Sequence, residues 1–205
     1  MSKHTLEICF GCGLAKTACF CAKFKNIPTE DRVTIITTQT ENKIRSNTGR
    51  WLHKMLENSK VIYLGDENWE AEVEAEKKNA SFYPILFYPS PNSLMPREKR
   101  REVGKPFNIF LLDTGWRTAR RWIYKKIFAE MPRLELKEEY ESRYFLRSVP
   151  KANHLCSLQS LACLLVEINN SYLPAQNDLM NTMDIIVKKM ATERGTKIKI
   201  DGEFY

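Results

Sequence analysis

Four of the six cysteines lie close together near the start of this 205-residue chain, at Cys9, Cys12, Cys19 and Cys21. Loops this short return the chain to one point, so the four thiolates can converge on a single tetrahedral zinc ion. Four sulfur ligands leave no open position for a substrate, and the ion would therefore be structural. Two other interpretations are disulfides, which need an oxidising compartment, and unconnected small core residues.

A second candidate for chemistry is Asp113, which follows an apolar run of strand length at 107–112. Apolar residues then recur at helical spacing from Trp116 to Ile127, so the carboxylate lies where a strand ends and a helix begins. Ligands of open α/β sheets bind beyond the carboxyl ends of strands, which makes this position a candidate site. From the local sequence alone, a helix cap with no further function is the favoured interpretation of Asp113.

Positive charge flanks the same strand. The basic residues before it are Arg97, Lys99, Arg100, Arg101 and Lys105, and those after it are Arg117, Arg120, Arg121 and Lys125. Basic runs usually form solvated surface, but two of them around one strand-end loop predict a groove for a polyanion such as RNA. Upstream, Arg45 and Arg50 make phosphate contact possible, beside Ser46 and Asn47, either of which can cap the next helix.

Strand and helix patterns alternate along the chain, which is typical of a mostly parallel α/β sheet. The strands are predicted at 33–38, 61–64, 82–88, 107–112 and 144–147. Helices are predicted at 51–56, 68–78, 116–127, 155–165 and 179–190. Pro84 within the third strand indicates either a sheet edge or a later start of that strand. Cys156 and Cys163 on the fourth helix are expected to be small core residues.

Length and composition limit the class of protein. With 205 residues, 43% of them hydrophobic, the chain can form one globular domain and a small appendage. We expect a zinc module at residues 1–27 and a main domain at residues 28–205. No apolar run is long enough to cross a bilayer and the first ten residues lack a signal-peptide pattern, so we expect a cytoplasmic protein. The net charge of +7 agrees with an anionic partner, and the sequence does not indicate an oligomeric state.

Several short motifs follow one another in a specific order over nearly the whole chain. They are the N-terminal cysteines, Glu41 with Asn47-Thr48-Gly49, Tyr88-Pro89-Ser90, Asp113-x-x-Trp116, Arg120, Tyr144-x-x-Arg147 and Ser157-Leu158. In this order and spacing the chain resembles the DTW-domain family of tRNA-uridine aminocarboxypropyltransferases, which is related to the SPOUT RNA methyltransferases. The resemblance implies a SPOUT-like sheet with a deep knot, formed by a DTW catalytic domain at residues 28–205.

The resemblance also implies a reaction and its residues. The 3-amino-3-carboxypropyl group of S-adenosylmethionine would be transferred to N3 of a tRNA uridine, releasing methylthioadenosine, with Asp113 as the general base for the N3 proton. The implied cofactor-binding residues are Tyr88, Pro89, Ser90, Leu112, Asp113, Trp116, Ser157 and Leu158. The expected tRNA contacts are Arg45, Asn47, Arg100, Arg101, Arg117, Arg120, Arg121 and Lys125. Trp116 either stacks on a base or adenine or packs only into the core.

The chain departs from the family pattern at three places. The family's Asp-x-Thr-Trp has a hydroxyl directly before the tryptophan, where this chain has Gly115 after Thr114. A histidine three residues before Glu41 is Thr38 here, and a glutamate after the Ser/Thr-Leu pair is Gln159. Because these changes bear on substrate choice and activity, two alternatives stay open: an RNA methyltransferase using the same cofactor, and a non-catalytic RNA-binding zinc protein.

Overall fold

The computed structural model describes residues 7–146, 154–196, 199–200 and 203–204. Five parallel strands form its main sheet: β1 (Arg32–Thr37), β2 (Ser59–Tyr63), β3 (Tyr83–Phe87), β4 (Phe107–Leu112) and β5 (Arg133–Leu134). Their spatial order is β2-β1-β4-β3-β5, and a short antiparallel pair, β6 (Lys199–Ile200) and β7 (Glu203–Phe204), lies apart from this sheet. The predicted parallel α/β sheet is confirmed, and the knot stays a prediction.

Helices cover both faces of the sheet. They are α1 (Gln39–Asn42), α2 (Thr48–Met55), α3 (Trp69–Lys77), α4 (Pro96–Val103), α5 (Trp116–Trp122), α6 (Lys126–Ala129), α7 (Ser157–Ile168) and α8 (Leu173–Arg194). Side chains alternate along β1, so Val33 and Ile35 enter the core shared with α2, α7 and α8. Ile36 enters the opposite core, under α3, α5 and α6. Within the described ranges, no helix has the length and apolar character that crossing a bilayer requires.

Two predicted elements differ from the structure. The helix predicted at 116–127 is interrupted, because α5 ends at Trp122 and α6 begins at Lys126. Phe128 lies roughly 140° around a continuous helix from Ile123, and the break turns Phe128 into the core that Ile123 also enters. The strand predicted at 144–147 is also wrong for residues 144–146, which pair with no strand, and Arg147 lies outside the described residues.

The cysteine-rich segment packs into the main core. Cys12, Leu14 and Phe20 are buried in the same cluster as α2, α7 and α8. The indole Nε1 of Trp51 in α2 donates to the carbonyl of Cys12 at 3.0 Å. The division at residue 27 stays a prediction, and the two proposed units share one hydrophobic core.

A buried carboxylate closes the amino end of the sheet. Asp31 is fully buried and accepts hydrogen bonds from the backbone N–H of Phe107 at 2.6 Å and from the Tyr172 hydroxyl at 2.8 Å. The Arg100 guanidinium forms an ion pair with the same carboxylate. Arg100 therefore lies at the amino end of β4 and has a structural role there.

Arg100→Ala should lower the free energy of unfolding by about 2–3 kcal/mol, because it leaves the Asp31 charge buried with a missing partner. Arg101→Ala is the matched control, since Arg101 is exposed on the same helix and should change stability by less than about 0.5 kcal/mol. Urea unfolding measures both variants. Equal effects of the two substitutions would contradict the structural role of Arg100.

Candidate functional site

Asp113 joins a strand to the N-termini of two helices. It follows β4 directly and is 3% exposed. Its Oδ2 accepts a hydrogen bond from the side-chain amide of Asn47 at 2.6 Å, and its Oδ1 accepts one from the Ser157 hydroxyl at 2.6 Å. Asn47 is the N-cap residue of α2, and Ser157 is the first residue of α7. Because helix N-termini carry partial positive charge, both helices favour an anion at this position.

Gly49 lets α2 approach the carboxylate. A Cβ atom at Gly49 would lie 2.3 Å from Cγ of Asp113 and 2.4 Å from its Oδ2, which is closer than atoms can pack. The Asn47 amide is also fixed from its other side, because its Oδ1 accepts the backbone N–H of Arg50 at 2.7 Å. The sequence Asn47-Thr48-Gly49 thus supplies one oriented donor and one position without a side chain.

Asp113 does not cap the helix that follows it. The N-cap of α5 is Gly115, and no side chain bonds to the free amides there. The interpretation of Asp113 as only a helix cap is therefore wrong. A Cβ atom at Gly115 would meet nothing within 4 Å, so the threonine usual in the family would fit at this position. The hydroxyl of a threonine at this position would cap α5, a role separate from that of the Asp113 carboxylate.

An apolar cavity of about 290 Å³ lies beyond the carboxyl ends of β3 and β4. Its walls include Tyr88, Leu112 and Trp116, and Ser157 contributes a hydroxyl. Three carboxylates line it as well, from Glu135, Glu138 and Glu139, with no lysine or arginine among the described residues of its wall. The cavity, called the apolar cavity below, suits a small molecule that combines an apolar or aromatic part with positive charge.

A second cavity of about 420 Å³ adjoins the first and is called the polar cavity below. Its lining includes Glu41, Asp113, Arg117 and Tyr144. Both cavities share four lining residues: Thr114, Trp116, Leu155 and Ser157. Molecules bound in the two cavities would therefore both contact this common wall, and Asp113 lines the polar cavity beside it.

Trp116 is the largest side chain of the common wall. It is 37% exposed, and its ring stacks on His154 with the ring centroids 4.6 Å apart. Tyr88 lies on the apolar side, with its ring centroid 6.2 Å from that of Trp116. The alternative that Trp116 packs only into the core is thus wrong, while stacking on a base or on adenine stays a prediction.

The four N-terminal cysteines converge as a metal site requires. Their Sγ atoms lie within 4.8 Å of one another. The Sγ atoms of Cys9 and Cys21 are 3.6 Å apart, and those of Cys12 and Cys19 are 3.9 Å apart. Tetrahedral zinc with Zn–S bonds of about 2.3 Å separates its sulfurs by about 3.8 Å. A backbone N–H at Cys12 lowers the pKa of Cys9 to about 6, whereas burial raises the pKa of the Cys12 and Cys21 thiols.

Comparison with known families identifies the chain. The sequence model of the DTW domain matches residues 6–191. The chain belongs to the DTW domain family. This family is associated with tRNA modification. None of the solved structures matches the chain significantly.

Six of the eight cofactor-binding residues predicted from the DTW motifs line one of the two cavities: Tyr88, Pro89, Leu112, Asp113, Trp116 and Ser157. The other two do not line either cavity. Ser90 forms a turn in which its backbone N–H donates to the Ser93 hydroxyl at 2.8 Å. Leu158 is completely buried in the core beneath α7.

Five of the eight predicted RNA-binding residues fall into two groups at opposite ends of β4. Arg117 lines the polar cavity, and Arg120 and Arg121 are exposed on the same short helix. Arg100 and Arg101 lie on α4 at the amino end of the sheet. The six residues of β4 place roughly 20 Å between the two ends. The prediction that both basic segments flank one strand-end loop is therefore wrong.

The remaining three residues that were predicted to bind RNA make contacts within the protein instead. Asn47 donates to Asp113, as described above. Arg45 donates to the carbonyl of Gly13 at 2.8 Å and forms an ion pair with Glu193, so it ties the cysteine loops to α8. Lys125 does not continue α5. Its Nζ lies over the ring of Trp69, 5.7 Å from the centroid.

Sequence reasoning missed the acidic wall of the apolar cavity. The glutamates at 135–141 are visible in the sequence as a cluster, but no strand was predicted at β5, so their position after a strand was not apparent. Cys156 packs against the core as predicted, and it is also the N-cap of α7 and lines the polar cavity, which the sequence did not indicate. Burial raises the pKa of Cys156 to about 11, so this thiol is neutral at pH 7 and is a poor nucleophile.

Proposed function

We propose that the chain transfers the 3-amino-3-carboxypropyl group of S-adenosylmethionine to N3 of a uridine in tRNA. The observation that carries this proposal is the pair of adjoining cavities with Asp113 beside their common wall. The apolar cavity has the character of a cofactor pocket. The polar cavity has room for a nucleobase, and its wall contains a carboxylate that can accept a proton.

The apolar cavity fits S-adenosylmethionine by its chemistry. Tyr88, Leu112 and Trp116 offer aromatic and apolar surface for the adenine ring. Glu135, Glu138 and Glu139 offer negative charge for the sulfonium and ammonium groups. When bound, the cofactor supplies a carbon activated by the neighbouring sulfonium. A neutral or anionic cofactor would gain no charge attraction from these glutamates.

The polar cavity positions the acceptor base. Uridine N3 carries a proton and becomes nucleophilic only when that proton leaves, so the reaction needs a base at this atom. Asp113 lines the cavity, and the hydrogen bonds from Asn47 and Ser157 fix the orientation of its carboxylate. We assign the N3 proton to this carboxylate. Arg117, Arg120 and Arg121 are the side chains that we propose for contact with tRNA phosphates.

Incubation of the full chain with S-adenosylmethionine and bulk tRNA, followed by mass spectrometry, tests this function. We expect methylthioadenosine and an aminocarboxypropyl-uridine. Asp113→Asn should reduce the rate by roughly a hundredfold or more, because an amide cannot accept the proton. The fold should persist, since the Ser157 hydroxyl can reverse its hydrogen bond and the Asn47 amide keeps an acceptor.

Each other outcome has a definite meaning. S-adenosylhomocysteine as the by-product would indicate a methyltransferase instead. Binding of tRNA without turnover of cofactor would indicate a non-catalytic RNA-binding protein. A folded and fully active Asp113→Asn variant would exclude Asp113 as the base, and an activity loss that follows unfolding would make Asp113 structural.

We also propose zinc as the ion of the four-cysteine site. Cys12→Ser should remove one zinc per chain, whereas Cys163→Ala, the control at a helix cysteine distant in sequence, should retain it. Cys12 is fully buried and its carbonyl accepts the Trp51 indole N–H, so metal loss should also lower the melting temperature. Elemental analysis measures the metal. Protein purified without chelator that contains no zinc would contradict the proposal.

A further inference from the structure

The segment 137–144, called the strap below, forms one wall of both cavities. Glu138, Glu139 and Tyr140 line the apolar cavity, and Tyr144 lines the polar cavity. The strap contains no helix or strand. Across 137–142, no backbone–backbone hydrogen bond is found within the described part of the chain. Other contacts must therefore determine where this wall lies.

One end of the strap is held by Glu167 of α7. Its Oε2 accepts the backbone N–H of Lys137 at 2.7 Å, and its Oε1 accepts that of Glu138 at 3.1 Å. The Tyr140 hydroxyl donates to the same Oε1 at 3.0 Å. A single carboxylate thus satisfies two adjacent backbone amides and one side chain, which only a group with two acceptor oxygens can do.

The other end is held by Gln159, two helical turns earlier on α7. Its Oε1 accepts the backbone N–H of Arg143 at 2.9 Å, and its Nε2 donates to the carbonyl of Glu141 at 2.7 Å. Gln159 is only 3% exposed, so these bonds are shielded from water. A glutamine side chain has the one donor and the one acceptor that this stretch of backbone requires, whereas an ionised glutamate could only accept.

We infer that Gln159 and Glu167 are positioning residues of the cofactor cavity. They replace backbone pairing for the strap and hold Glu138, Glu139 and Tyr140 at the cavity wall. Both side chains project from α7, whose first residue bonds to Asp113, so one helix sets the distance from the acidic wall to the carboxylate. The inference deepens the proposed function, because the identity of the cofactor rests on that proposal.

Hydrogen exchange and cofactor binding together test this inference in the full chain. Glu167→Gln replaces one acceptor oxygen with a donor that faces a backbone N–H, so exchange at the amides of 137 and 138 should accelerate. Affinity for S-adenosylmethionine, measured by calorimetry, should fall roughly tenfold, while tRNA affinity stays unchanged. Glu67→Gln, an exposed position, is the matched control and should change neither quantity.

Gln159→Met is the second variant, since methionine keeps the length of the side chain and removes both hydrogen bonds. It should accelerate exchange at the amide of 143 and weaken cofactor binding in the same way. Unchanged exchange in both variants would overturn the inference, and so would faster exchange with unchanged cofactor affinity. A wild-type chain that binds no S-adenosylmethionine would overturn the proposed function instead, and the exchange rates would still decide whether these side chains hold the strap.

Discussion

The buried carboxylate of Asp113 is the constraint on which the rest of this site depends. A buried charge costs several kcal/mol unless donors surround it, and here the donors come from two helices. Asn47 and Ser157 therefore fix α2 and α7 to the end of β4. The position is a topological switch point between the neighbouring strands β1 and β4. After β1 the chain continues to β2, toward one edge of the sheet, and after β4 it continues to β5, at the opposite edge.

Through α2 and α7, the carboxylate of Asp113 is connected to other segments of the chain. The N-cap of α2, Asn47, donates to Asp113. Further along α2, the Trp51 indole donates to the carbonyl of Cys12 and so positions the cysteine loops. In the other direction, α7 extends from Ser157 to Gln159 and Glu167, which hold the strap. Among the described contacts above, none joins the cysteine loops directly to the acidic wall. They are related through one carboxylate, which explains how distant segments of sequence form a single site.

Much of this arrangement was predictable from the sequence. The apolar run before Asp113 predicted a buried strand with a carboxylate at its end, and the spacing of the cysteines predicted their convergence. The role of Arg100 was not predictable, because a basic run has the same appearance whether its members face solvent or pair with a carboxylate such as Asp31, distant in sequence. The strap was missed for a related reason, since irregular backbone held by side chains has no periodicity.

The stability of Gly49→Ala tests the central role of Asp113 most directly. At an ordinary helix position, alanine is more favourable than glycine by roughly 0.5–1 kcal/mol. Here the added methyl group would meet the Asp113 carboxylate at 2.3 Å. We predict that the free energy of unfolding falls by about 1–3 kcal/mol, because the helix and the carboxylate must separate. A variant that gains stability instead, as at an ordinary helix position, would contradict the constraint.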